Sequence, residues 1–506
     1  MRTVETGRGL SRTGVGTLAV ISCAMLIGAV ACSSGKSTES LAVTTTTTAR
    51  PAGPSADLSH ELTGGSGVFM GSATPTNLQA VGYVEHEYVA AGTASSYRAV
   101  GALGHNGRWK FVPATSAPYR TRVLVRRPAD PARFSGTVVV EWLNVSGGVD
   151  ADPEWTSLRE EIIRRGDAWV GVSAQRIGVM GGRVLVSVPV PGAEAAGKGL
   201  KAIDPARYGS LEHPGDGFSY DIFTQVARAI RSGGGLGGLE PKRVIAAGES
   251  QSAFALVTYY NGVQPLTHAF DGFFVHSRGA IGLPLVAPGK YADIASSLSG
   301  TPSIFRTDQD APVLDIQTET DVASILNSYA ARQPDSARFR LWEVAGTAHA
   351  DAHLVGSSAK YIDCGVPINN GPMHIVAKSA LRALTTWLTN GQAPPIAPRI
   401  EVAPGANPQI ERDPDGIALG GIRTPPVDVP VAALSGAPGP NPSTICLLLG
   451  STKPFSAARL AQLYPSRAAY LQRYDADADA AIKAGFVLPE DRAALLGFAE
   501  PSRIAP

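Results

Sequence analysis

The sequence predicts an α/β fold, a mostly parallel, doubly wound sheet with helices on both faces and a C-terminal extension. Three observations carry that expectation. From about Leu62 onward, short β-branched runs alternate with helical stretches, the pattern of a sheet whose crossovers are helices. With 44% hydrophobic and 17% charged residues over 506 positions, the chain has the composition of a globular protein with a large core, not of a disordered or fibrous one. The 56 Gly and 38 Pro imply many turns and long connections, which suit an enzyme with elaborated loops and exclude a coiled coil or helical repeat. Lys plus Arg number 44 against 43 Asp plus Glu, a formal net charge of +1, so no whole-molecule field favours nucleic acid as a partner.

The N-terminal residues read as an address. Arg2, Arg8 and Arg12 precede an uncharged apolar run, Gly14 to Ala31, which ends in Ala29-Val30-Ala31-Cys32-Ser33. This is the layout of a signal peptide over residues 1–31. Cys32, directly after small residues, resembles the lipidation site of bacterial lipoproteins, although Ala29 departs from the Leu usual three residues earlier. An uncleaved membrane anchor is the alternative. Either reading places the rest of the chain outside the cytoplasm, lipid-anchored on the outer face of the cell membrane or secreted. Residues 32–60, with the Thr44 to Thr48 run, read as a Ser/Thr-rich tether. With Cys23 inside the signal and Cys32 as the lipid site, Cys364 and Cys446 remain. Two thiols in an oxidising compartment are expected to pair.

The globular elements follow in order. Thr137 to Asn144 reads as a buried strand, Pro153 to Arg165 as a helix with Pro in its first turn, and Ala168 to Ser173 as the next strand. Tyr220 to Arg231 has helical spacing, followed by a Gly-rich loop, the strand Arg243 to Ala247 and a helix from about Gln251. Further strands are expected at 272–275, 313–317 and 339–344, and a helix at 374–388. Residues 61–395 are assigned to the core. Residues 396–506, Pro-rich to about Pro442 and then Ala-rich and helical, form an extension of the same folding unit that can wall the site.

The chemistry concentrates at Gly248-Glu249-Ser250-Gln251-Ser252, between a strand and a helix. A sharp strand-to-helix turn that lifts a nucleophilic hydroxyl out of a sheet needs small residues two before and two after it; Gly248 meets this, and Ser252 stands where Gly is usual. Ser250 is therefore the candidate nucleophile. The turn sets the backbone N–H of Gln251 beside it at a helix N-terminus, where it can hold an oxyanion. An activated Ser needs a His and an acid to orient that His. Asp321 follows the strand in PVLDIQTETDV, with Glu319 as the alternative acid, and His349 follows the strand RLWEV and a Gly turn. A second oxyanion donor is expected from the loop Asn144 to Gly148, as the N–H of Val145 or Ser146.

The segments EWLNVSGG, GVSAQ, HPGDGFSYD, GESQSA, QTETD, AGTAH and LGGIRTPPVDVP together resemble the bacterial alpha/beta hydrolase domain proteins, a branch of the α/β-hydrolase superfamily, over about residues 62–500. The resemblance implies the α/β-hydrolase fold and a Ser-Asp-His hydrolase. Ser252 and the missing His-Gly before the oxyanion loop are its departures from the superfamily pattern.

Other features have plainer readings. His349 and His353 lie four apart, but no third ligand motif accompanies them, and no metal is expected. His276 follows a core strand and can reach the pocket, the plainer reading being a satisfied buried His; Gly233 to Gly238 reads as a loop, and Asp475, Asp477 and Asp479 as a solvated helix face, since Ala480 and Phe486 stand where a calcium loop needs Gly and Glu. Asp150 and Asp152 are read as caps of the following helix. The expected function is an extracytoplasmic serine hydrolase of carboxylic esters, small-molecule or lipid, that needs no cofactor. The alternatives are an amidase or peptidase with the same triad, and a non-catalytic lipid-anchored binding module.

Overall fold

The computed structural model describes residues 50–71, 76–403, 405 and 408–505. The signal segment, Cys23, Cys32 and the tether up to residue 49 lie outside the described residues. From Arg50 onward the chain forms one compact unit.

Among the described residues the centre is a nine-stranded sheet: β1 (Asp57–Glu61), β2 (Tyr83–Ala99), β3 (Phe111–Pro128), β4 (Thr137–Trp142), β5 (Ala168–Val172), β6 (Arg243–Glu249), β7 (Gly272–His276), β8 (Val313–Thr318) and β9 (Phe339–Val344). The spatial order is β1-β2-β3-β5-β4-β6-β7-β8-β9. Strands β4 to β9 run parallel, whereas β1, β2 and β3 add an antiparallel wing through β5. Every residue of β4 is buried, as expected for an apolar, β-branched run covered on both faces. Helices α1 (Pro153–Arg165) and α4 (Met373–Asn390) cover one face, where Leu158, Ile162, Val376 and Leu384 meet Val139, Ile245, Phe274 and Trp342. Helices α2 (Ser219–Arg231) and α3 (Gln251–Thr258) cover the other, through Ile222, Phe223 and Leu256 against Val138, Val244 and Phe273.

Two differences from the sequence reading concern the first strands. Residues 57–60, read as tether, belong to β1, because Leu58 is buried and the strand pairs with β2. The long β2–β3 pair escapes a search for β-branched runs because β2 carries Ala, Gly and Ser where such residues are sought, and β3 contains Pro113 and Pro118. The C-terminal extension packs behind the strand ends, with Ile400, Ile417, Val427 and Ala433 around Val322 and Ala345. Its helix α5 (Arg467–Lys483) carries Asp475 and Asp479 on the surface, both paired with Arg492. Cys364 and Cys446 form a disulfide, 82 positions apart.

Candidate active site

Strand β6 ends at Glu249 and α3 begins at Gln251, so one residue must turn the chain. Ser250 does so with φ 58° and ψ −123°. A side chain in that region costs about 1–3 kcal/mol, and such strain persists where the surroundings fix it. Here the Ser250 N–H donates to the His276 carbonyl at 2.9 Å, and the Ser250 carbonyl accepts from Phe254 N–H at 3.1 Å. A Cβ on Gly248 would lie 3.0 Å from the Ser252 Cβ, which explains the glycine two residues before the turn.

The acid and the imidazole arrive from the next strand ends. Asp321 lies in the short helix Glu319–Ala323 after β8; Thr318 caps it, donating to Asp321 Oδ2 from its N–H at 2.7 Å and from its hydroxyl at 2.8 Å. His349 follows β9, with Nδ1 2.7 Å from Asp321 Oδ1 and Nε2 2.8 Å from Ser250 Oγ. A carboxylate only accepts, so Nδ1 carries the proton towards Asp321 and Nε2 is left to accept from the Ser250 hydroxyl. Burial alone would lower the His349 pKa, but the charges of Asp321 and Glu249 outweigh it and hold the imidazole above its ordinary value. Burial likewise pushes Asp321 up, and the charge and hydrogen bond of His349 bring its carboxyl below the ordinary range. Glu319, the alternative acid, is spent elsewhere. Its oxygens take Gly346 N–H at 2.9 Å, Gly436 N–H at 2.9 Å, the Ser435 hydroxyl at 3.1 Å and the Arg412 guanidinium, which ties the C-terminal extension to the His349 loop.

The expected oxyanion donors fare differently. Gln251 opens α3, where first-turn N–H groups lack intrahelical acceptors. Val145 does not present a free N–H: it donates to Gln251 Oε1 at 3.1 Å, and Ser146 N–H donates to Asn144 Oδ1 at 2.8 Å. The physical reason is the buried amide of Gln251, whose nitrogen in turn donates to Gln175 and whose oxygen needs a donor. Asp150 and Asp152 are not simple caps. They pair with the buried Arg122 and Arg126 at 2.7 and 2.6 Å, while Glu141 of β4 receives the Glu154 and Trp155 N–H groups.

Beside His349 lies a small cavity of about 10 Å³, room for about one water, lined among others by Glu249, His276, Asp351, His353 and His374. His353 stacks on His374 with ring centroids 3.6 Å apart and does not join His349. His276 is not the satisfied buried His expected: neither ring nitrogen has a hydrogen-bond partner among the described residues. Glu249 was not singled out by the sequence reading, although a carboxylate adjoining a candidate nucleophile at a strand end was the signal available; its Oε1 sits 3.4 Å from His349 Nε2. Among the described residues no three His, Cys, Asp or Glu side chains are grouped to hold a metal ion, and no helix is long and apolar enough to cross a membrane.

A family model described as "Alpha/beta hydrolase domain" matches residues 51–497. The chain belongs to that family. The large, mostly parallel central sheet with its helices agrees with the alpha/beta hydrolase assignment. No curated protein matches the chain. Solved structures similar to it include a serine hydrolase without a lid from Xanthomonas campestris (13% identity, TM-score 0.28, covering 57% of this chain and 94% of that one). Others are an esterase from Rhizomucor miehei (10%, 0.29, 59% and 85%) and a thermostable esterase from Pseudomonas putida (13%, 0.29, 62% and 86%).

Proposed function

We propose that this alpha/beta hydrolase cleaves carboxylic esters through a Ser250-His349-Asp321 triad and an acyl-enzyme, outside the cytoplasm and tethered by lipid at Cys32. The observation that carries the reading is the unbroken hydrogen-bonded path from Asp321 through His349 to the half-buried Ser250 hydroxyl. His349 takes the Ser250 proton as Oγ attacks the ester carbonyl, the Gln251 N–H steadies the oxyanion, and His349 returns the proton to the leaving alkoxide. Asp321 keeps the imidazole in the required tautomer and stabilises its charge. Water then releases the acid. The location rests on the basic start, the apolar run and the small residues before Cys32, and on the Cys364–Cys446 disulfide, which suits an oxidising compartment.

The test is hydrolysis of p-nitrophenyl esters from acetate to palmitate by the full chain in detergent, beside Ser250→Ala and His349→Ala. Both variants should keep the native melting transition and lose turnover, and the wild type alone should be labelled by a fluorophosphonate at Ser250. A wild type that neither turns over nor labels would sink the reading. For the anchor, mass spectrometry of the membrane-bound protein should find a lipidated Cys32 as the first residue; an unmodified N-terminal extension would count against it.

A further inference from the structure

Outside the triad, several polar groups lie on one side of His349. Glu249 reaches within 3.4 Å of Nε2, the nitrogen that moves the proton. Behind it His276 is 4% exposed, and both of its nitrogens lack partners among the described residues. Glu154, fully buried, stands 3.5 Å from His276 Nδ1, with neither oxygen hydrogen-bonded among the described residues. Buried polar groups in native proteins are almost always satisfied, and a polar cavity with two to four convergent partners is where water is held. Glu249, His276 and His349 are among the lining of a cavity with room for about one water.

We propose that Glu249, backed by His276, holds the water that hydrolyses the acyl-enzyme and is therefore a catalytic residue for deacylation. The inference rests on the ester-hydrolase reading above. Nε2 lies 2.8 Å from Ser250 Oγ and 3.4 Å from Glu249 Oε1, so a water hydrogen-bonded to both Glu249 and Nε2 lies beside the acyl carbon carried on Oγ. One water proton passes to His349 Nε2 while the water oxygen forms the new C–O bond; the other O–H stays on the Glu249 carboxylate. The carbonyl re-forms, the acyl C–Oγ bond breaks, and Nε2 returns its proton to Oγ, which frees the acid and restores Ser250. Acylation needs no such water, because the alcohol leaves with the proton from His349.

The groups that face Glu249 are His349 and Asp321 from the loops after β9 and β8, His276 at the end of β7, and Glu154 of α1. Burial pushes its carboxyl up to about 7, against the pull of His349 and His276. Glu249 thus accepts a hydrogen bond in either protonation state.

The experiment follows the full chain with p-nitrophenyl acetate before and during steady state, wild type beside Glu249→Gln. In the variant the first turnover should release nitrophenol at a rate within about threefold of wild type, while kcat falls about a hundredfold, as misplacement of a reacting group does. KM should fall with it, and rapid-quench mass spectrometry should find an acetyl group accumulated on Ser250. Equal losses in the burst and in steady-state turnover, or no loss in either, would overturn the proposal. If Glu249→Gln lacks the native melting transition, Glu249→Asp keeps the charge while withdrawing the oxygens and is judged by the same criteria. A wild type that releases no nitrophenol and resists fluorophosphonate fails the ester-hydrolase reading itself, a result distinct from failure of the Glu249 role.

Discussion

The Val145 N–H donates to the side-chain carbonyl of Gln251 at 3.1 Å and so ties the loop after β4 to the first residue of α3. The Gln251 amide continues to Gln175, whose oxygen also accepts from the Trp142 indole at 3.0 Å. One buried side chain therefore fixes both walls beside Ser250. Gln251→Leu keeps a similar volume and strands the Val145 N–H. An unsatisfied buried donor costs about 1–3 kcal/mol, so thermal unfolding should move down by an amount of that order. Turnover should fall as the loop loosens, while Asn144, which donates to the Glu249 carbonyl at 3.1 Å, keeps the loop from detaching.

The two acids after β8 are separated by function. Asp321→Asn preserves shape but offers Nδ1 an amide that can favour the wrong tautomer, and kcat should drop on the order of 10⁴-fold, the loss this substitution brings in the triad template. Glu319→Gln should leave fluorophosphonate labelling of Ser250 fast while lowering the melting temperature, because Glu319 anchors Arg412 and Gly436 of the extension. If the two effects were exchanged, Asp321 would not be the orienting acid.

The strand-turn-helix unit around Ser250 was legible because its signals are local: a β-branched run, a Gly and an apolar helix within a few residues. Asp321 and His349 were legible because each directly follows a buried strand. The β2–β3 wing was not, since its strands are held by pairing with each other and with β5, and their Ala, Ser and Pro content interrupts any β-branched pattern. The fate of the Val145 N–H depends on a partner 106 positions away, and the cavity around Glu249 and His276 on five strand ends and helices meeting. Such relations arise only from the three-dimensional packing.

The pH profile follows from the sign of the His349 shift. A general base must be neutral, and Asp321 with Glu249 holds the imidazole above its ordinary 6.5 despite burial. As pH falls, kcat/KM should therefore decline through a midpoint above that of a free imidazole. Glu249, pushed up to about 7 by burial, titrates in the same window, so the midpoint belongs to the pair. Glu249→Gln removes one neighbouring negative charge and should move the acid limb to lower pH. An unmoved limb in kcat/KM would show that the two groups are not coupled.

The Cys364–Cys446 bridge is joined to the His349 loop through a backbone hydrogen bond. Cys446 lies in the short helix Thr444–Leu448, and the Leu448 carbonyl accepts the Ala350 N–H at 3.0 Å, one residue beyond His349. Closing a loop of 82 positions stabilises by about 4 kcal/mol in the chain-entropy picture. Cys364→Ser with Cys446→Ser should lower the unfolding free energy by that order in a urea titration. Because the Ser250 backbone is bonded to His276 and Phe254, outside this segment, the strained turn should survive while His349 loses its fixed position. Fluorophosphonate labelling at low denaturant should then fall well before the sheet unfolds, as followed by circular dichroism. If labelling and sheet signal are instead lost together, the disulfide stabilises the whole unit and has no separate hold on the His349 loop.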